Sequence, residues 1–218
     1  FDTRAQGIAR SFVKIMTHAG VNFGTLGQKE TCCGDIARRV GEEGLFDEQV
    51  KKTTSLFRSN GINDLVASSP HCFNLFKNEY SLCQSSGAKP FSVRHYTQLL
   101  EELIDNGLIK PHKSMNIKAT YHDPCYLGRY NQIYETPRRI IRSIPGISLV
   151  EMVHFGPDSL CCGGGGGRMW QELEGEKKLS EVRIREAADT GADVVVTACP
   201  YCLIMLEDAR KTAGFEER

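Results

Sequence analysis

Neither sign of charge prevails in this sequence: 27 Lys and Arg stand against 27 Asp and Glu among 218 residues, and the basic ones are scattered. That leaves binding to nucleic acid or to an acidic membrane surface without electrostatic support. Long apolar runs are missing too. The longest, such as Val194-Val195-Val196 and Leu203-Ile204-Met205-Leu206, are far too short to cross a bilayer. No charged-then-apolar leader opens the chain, and no stretch reads as disordered. A soluble protein is expected, cytoplasmic or held at a membrane through a partner or a missing N-terminal region. A P-loop, a Ser-His-Asp arrangement, a zinc-protease motif and any carboxylate pair fit for general acid and base are also absent. With 40% hydrophobic residues, the chain can still bury one large core or two small ones.

What the sequence has in quantity is cysteine. The nine are Cys32, Cys33, Cys72, Cys83, Cys125, Cys161, Cys162, Cys199 and Cys202. A small secreted protein would spend them on disulfides, but this chain is long and well supplied with core residues. Two groups are also adjacent pairs, whose Cα atoms lie closer together than an unstrained disulfide tolerates. Metal ligation is the better expectation.

The chain is a duplication. "TCCGDIARRVGEEG" at 31–44 matches "LCCGGGGGRMWQELEG" at 160–175, and "NGINDLVASSPHCF" at 60–73 matches "TGADVVVTACPYCL" at 190–203. Both halves run in one order: Cys-Cys-Gly, a helical stretch, a Gly turn, an apolar strand, then a Pro-containing turn ending in Cys. Cys32 to Cys161 is an offset of 129, and Cys72 to Cys202 one of 130. The expected domains are therefore a first repeat at 1–112 and a second at 113–218.

Short segments rich in β-branched residues predict strands at Val21–Leu26, Asp64–Ser68, Phe91–His95, Lys118–His122, Ser148–Met152 and Asp193–Ala198. Helical spacing of apolar positions predicts helices over Arg4–His18, Phe46–Arg58, Thr97–Asn106, Pro137–Ser143 and Gln171–Ala188. Such alternation predicts an α/β fold of two pseudo-symmetric Rossmann-like lobes, each a parallel sheet flanked by helices. Functional residues then collect in loops at the carboxyl ends of strands, which is where Cys125, Cys161, Cys162, Cys199 and Cys202 fall.

Read alone, Cys199-Pro200-Tyr201-Cys202 looks like a glutaredoxin-type dithiol at a helix N-terminus. Such a domain needs further strands and helices after its dithiol, whereas only 16 residues follow Cys202. Five thiols on three strand-to-helix loops exceed the four ligands of a tetrahedral zinc and suit a multi-iron cluster.

Cys125, Cys161-Cys162-Gly163 and Cys199-x-x-Cys202, with "HDPCYLGRYN" and "CCGGGGGRMW", closely resemble the cysteine-rich CCG domain of the heterodisulfide reductase B/D-subunit family. The resemblance covers nearly the whole chain as two tandem copies. It implies a noncubane 4Fe-4S cluster held by Cys125, Cys161, Cys162, Cys199 and Cys202. It also implies an electron-transfer and redox-catalytic role in a heterodisulfide reductase-like oxidoreductase. The implied partner is a ferredoxin-type domain or subunit carrying 4Fe-4S clusters, with a flavoprotein or a membrane quinone-reactive subunit as further candidates.

The first half departs from the pattern. Ser69 stands at the position of Cys199, and the place of Cys125 would fall a few residues before Phe1, where a parent gene is expected to encode Cys. Cys32, Cys33 and Cys72 thus form a candidate second site for a cluster or zinc, or one left degenerate and empty.

Gly163–Gly167 fails the G-x-G-x-x-G dinucleotide fingerprint, since Arg168 takes the final glycine position. Its expected use, beginning with Gly163 and Gly164, is close backbone approach with N–H groups turned to the cluster. His71 and His122 are candidate hydrogen-bond donors around the site, with plain packing as the rival. Arg168 and Arg129 could offset the cluster's charge or bind an anionic substrate, with surface solvation as the rival. Asp123 before Pro124 reads as turn chemistry. Met169 and Trp170 read as a cover over the site or as core residues, and Cys83 as a spare thiol. A different class of function remains beside the redox one: a non-catalytic docking subunit with structural zinc in the CCG sites.

Overall fold

The computed structural model describes residues 2–83, 91–171 and 178–215. Its first half opens with α1 (Thr3–His18), whose start is capped by the Asp2 carboxylate accepting the Arg4 backbone N–H at 2.8 Å. Then come α2 (Asp35–Val40), α3 (Glu43–Ser59), β1 (Asp64–Ala67), α4 (Pro70–Asn74), β2 (Ser92–His95) and α5 (Tyr96–Asp105). The second half contains β3 (Ile117–His122), α6 (Glu135–Arg142), β4 (Ile147–Val150), α7 (Leu179–Asp189), β5 (Val194–Thr197) and α8 (Pro200–Thr212).

Both sheets are parallel, in keeping with the expected α/β class. β1 pairs with β2, and β3 lies between β4 and β5. The central position of β3 explains its sequence: Ala119, Thr120, Tyr121 and His122 are all buried, because both faces are covered and both edges paired. Its register sets His122 opposite Thr197, so the turns bearing Cys125 and Cys199 leave the sheet side by side.

The two halves share a core. Ala67 and Phe73 of the first pack with Tyr121, Leu127, Ile141 and Ala198 of the second. Phe73 is 1% exposed, and burying such a side chain contributes about 1.5–3 kcal/mol. A second cluster, around Phe46, Leu75, Tyr80 and Phe91, belongs to the first half alone.

Three expectations need correction. Val21–Leu26 forms no strand. Its counterpart β4, also set between a helix and a cysteine pair, exists by pairing with β3, and the described residues hold no strand at that place in the first half. The helix expected over Gln171–Ala188 begins at Leu179, after a single turn at Arg168–Trp170. Residues 172–177 of that expectation lie outside the described residues. The stretches after the two cysteine pairs also differ: Asp35 onward forms α2, whereas Gly163, Gly166 and Gly167 take positive φ and no α-helix starts there.

Candidate metal centre

The five thiols expected to act together are brought together. Cys162, Cys199 and Cys202 share one buried cluster, the Cys162 and Cys202 sulfurs lie within 4.8 Å of each other, and Cys125 and Cys161 act electrostatically on each other and on Cys162. They come from three separate loops, and Cys162, Cys199 and Cys202 are buried. Cys199 is the N-cap of α8 and Pro200 opens its first turn, so the helix N-terminus faces the thiols.

Charge in this group is uneven. Hydrogen bonds from Cys125 and Cys162, together with the Gly163 N–H at 3.3 Å, hold the Cys161 thiol well below its ordinary range. Burial works against ionisation of Cys199, but hydrogen bonds from Cys202 and His71 outweigh it and pull its pKa down. Cys125 and Cys162 are pushed up, chiefly by Cys161, and Cys202 is pushed up, chiefly by Cys162 and Cys199, with burial adding to each. Two of the five sulfurs, Cys161 and Cys199, are thus favoured as anions, the form in which a thiol binds a cluster or a soft metal.

The glycine run permits the close approach expected of it. A Cβ on Gly164 would sit 2.7 Å from Met205 Cγ and 3.8 Å from Cys162 Sγ. Gly163 has φ +80°, a conformation that costs a side-chain-bearing residue about 1–2 kcal/mol.

In the first half, Cys33 Sγ lies 3.1 Å from Cys72 Sγ, and Cys32 is hydrogen-bonded to Cys33. The Gly34 N–H reaches Cys32 Sγ at 3.5 Å, as Gly163 does for Cys161, so the duplication extends to this contact. Cys32 is exposed. Cys83 closes a 3₁₀ turn (Tyr80–Cys83), but its side chain lies outside the described residues.

His71, one position before Cys72, belongs to the opposite site. Its Nδ1 lies 2.8 Å from the buried Asp35 carboxylate, and the ring also interacts with Cys199. Burial alone would lower its pKa; these two partners raise it to about 9. Its ring stands 4.1 Å from that of Tyr126 and 4.7 Å from that of Tyr201, its own counterpart in the duplication. Trp170 meets Tyr201 edge-on at 6.2 Å, and Tyr126 stacks on Tyr130 at 4.7 Å. A row of five rings thus runs past the cysteine sites from exposed Trp170 to exposed Tyr130.

His122 is 1% exposed, and one of its ring nitrogens lies within 4.8 Å of the Cys162 and Cys202 sulfurs. Burial, with the Arg183 charge beside it, keeps the imidazole neutral, its pKa down to about 3.

Other residues have different duties from those expected. Asp123 is more than a turn residue: buried, it takes both ends of the Arg138 guanidinium at 2.7 and 2.8 Å and the Gly156 N–H at 2.8 Å. Arg129 binds the carbonyls of Pro157 and Ser159 and so braces the loop ahead of the cysteine pair. Arg168 is exposed in the turn after the glycine run. Trp170 is 63% exposed, at the rim and not in the core. Asp35, Tyr126, Arg138 and Arg183 carry much of the site's support. Asp35, directly after Cys-Cys-Gly, and Tyr126, within HDPCYLGRYN, stood in motifs; Arg138 and Arg183 did not.

A family model for the CCG cysteine-rich domain matches residues 1–77 and 119–207. Similar proteins include the probable iron-sulfur-binding oxidoreductase FadF of Bacillus subtilis, 43% identical over the whole chain and 30% of the relative's length. The EtfAB:quinone oxidoreductase of Syntrophomonas wolfei is 38% identical over the whole chain and 31% of its own length. A dihydromethanophenazine:CoB–CoM heterodisulfide reductase subunit of Methanosarcina acetivorans is 34% identical over 90% of the chain and 49% of its own length. The chain thus spans between about a third and a half of these relatives. It belongs to the CCG cysteine-rich domain family.

Proposed function

We propose that the chain is the iron–sulfur electron-transfer part of a heterodisulfide reductase-like oxidoreductase, with its cluster in the second repeat (113–218). The observation that carries this reading is the grouping of Cys125, Cys161, Cys162, Cys199 and Cys202, five sulfurs that act on one another where one zinc takes four ligands. Adjacent Cys161 and Cys162 would both help hold a noncubane 4Fe-4S cluster. When bound, that cluster supplies reversible one-electron chemistry.

The chain's own residues set the conditions for it. Cys162, Cys199 and Cys202 exclude water by their burial, Gly163 gives a backbone N–H to Cys161, and His71 gives a hydrogen bond to Cys199. N–H donors of this kind stabilise the more reduced, more negative state and raise the potential. The exposed Trp170 end of the aromatic row leaves a route for a redox partner. A ferredoxin-type domain or subunit fits this role, as does a flavoprotein or quinone-reactive partner of the kinds named among the relatives. No helix among the described residues is long and apolar enough to cross a membrane. In our reading the chain is cytoplasmic, and any membrane association comes through such a partner, one relative being named a probable membrane-anchored ferredoxin.

A second reading has one observation in its favour. His122, Cys162 and Cys202 form a compact group that could start a structural zinc site. An anaerobic potentiometric titration followed by electron paramagnetic resonance separates the two. A reversible signal within the range of about −700 to +450 mV, lost in Cys199→Ser, supports electron transfer; a protein silent throughout contradicts it.

A further inference from the structure

Arg183, on α7, is 0% exposed, and every nitrogen of its guanidinium is engaged. Nη1 donates to the His154 carbonyl and to Glu186 Oε2, each at 2.7 Å, and Nη2 donates to Ser159 Oγ at 3.1 Å. Nε donates to His122 Nδ1 at 3.0 Å. Burying a full positive charge is costly, and the cost is tolerated where each donor has an acceptor in a fixed direction.

The last of these contacts dictates the proton arrangement of His122. A guanidinium can only donate, so Nδ1 must present its lone pair to Arg183. In a neutral imidazole the single proton is then on Nε2. Nε2 is buried and has no hydrogen-bond partner in the protein, although the ring stands beside Cys162 and Cys202. A buried N–H without an acceptor is destabilising and rare in folded proteins, which argues that an acceptor is supplied from outside the polypeptide.

We propose that Arg183 is a positioning residue which locks His122 as an Nε2–H donor to the group held by the five thiols and withholds it as a metal ligand. The inference rests on the cluster reading above and adds a selectivity device to it. A zinc site drawing on His122 needs the Nε2 lone pair, and Arg183 keeps a proton there. A sulfur-rich cluster needs donors around its sulfurs, and the same proton serves it.

The test uses anaerobically purified, 15N-labelled protein, with iron, zinc and sulfide counted before pulsed electron paramagnetic resonance on the reduced state. The expected wild-type result is a weak histidine nitrogen coupling with an exchangeable proton that disappears in D2O, both abolished in His122→Phe. In Arg183→Met the proton coupling should fall, and zinc retained from an equimolar iron and zinc mixture should rise severalfold. Adding His122→Phe should reverse that rise. A strong coupling from nitrogen bound directly to iron in the wild type would overturn the proposal, and that measurement needs no variant to fold. Arg183→Met with unchanged coupling and unchanged metal preference would overturn it equally. Zinc without sulfide in the wild type would instead defeat the cluster reading, before any coupling is measured.

Discussion

His71, from the turn of the first repeat, lies within electrostatic reach of Cys199, from the matching turn of the second, so the first half helps build the second's surroundings. The counterpart of His71 in the duplication, Tyr201, packs against it at 4.7 Å. His71→Leu removes the donor to Cys199 and leaves Asp35 buried with Arg39 alone at 3.2 Å. The expected result is a cluster potential shifted to more negative values and a loss of about 1–3 kcal/mol of stability. Redox titration beside thermal unfolding checks both, and an unchanged potential with only the stability loss would reduce His71 to a packing role.

Asp123 and Arg138 form a bidentate pair whose side chains are 3% and 2% exposed. Removing one partner strands a buried charge, so Arg138→Ala should cost about 3–5 kcal/mol. Asp123 also holds the Gly156 N–H ahead of the cysteine pair, so Asp123→Ala should release iron faster than it lowers the unfolding midpoint. Iron-release kinetics with a chelator measure this, and release in step with global unfolding would count against a local role.

Glu186 offers a pH test away from the thiols. Partial burial raises its pKa, but the His154 backbone N–H at 2.6 Å and Arg183 at 2.7 Å outweigh that and hold it below the usual carboxylate range. A depressed folded pKa contributes stability that is present above the unfolded value and lost as pH falls through the folded one. Glu186→Gln should therefore show its largest deficit in melting temperature near neutrality, shrinking as pH falls below about 4.5. A deficit that stays constant into acid would show that the charge is not what matters.

Gly164 tests the close approach of the glycine run. A methyl group there meets Met205 Cγ at 2.7 Å, so Gly164→Ala should lower iron retention, and adding Met205→Ala should restore much of it. Absence of rescue would place the defect in the backbone of the loop.

Much of the site was legible because ligand chemistry is written in local spacing. The Cys-Cys-Gly pairs, the Cys-x-x-Cys turn and the strands before them can each be read from a few neighbouring residues. Val21–Leu26 was misread because a strand is a property of two segments, and the described residues supply no partner for it. Arg183 left no mark because it stands within an ordinary amphipathic pattern and acquires its meaning from His122 and Ser159, 61 and 24 residues away. His71 was singled out for its nearness to Cys72, yet beside its bond to Asp35 it meets Cys199 of the other half, a contact that only the packing of the two repeats creates.

The most direct measurement is iron, zinc and acid-labile sulfide per chain on anaerobically purified protein, repeated on Cys162→Ser and on Cys72→Ser. About four irons with equal sulfide, lost in Cys162→Ser and kept in Cys72→Ser, is the expected result. About twice that amount, halved in Cys72→Ser, would add a cluster in the first repeat without disturbing the second. Stoichiometric zinc with no sulfide would contradict the electron-transfer function and leave a structural metal site in its place.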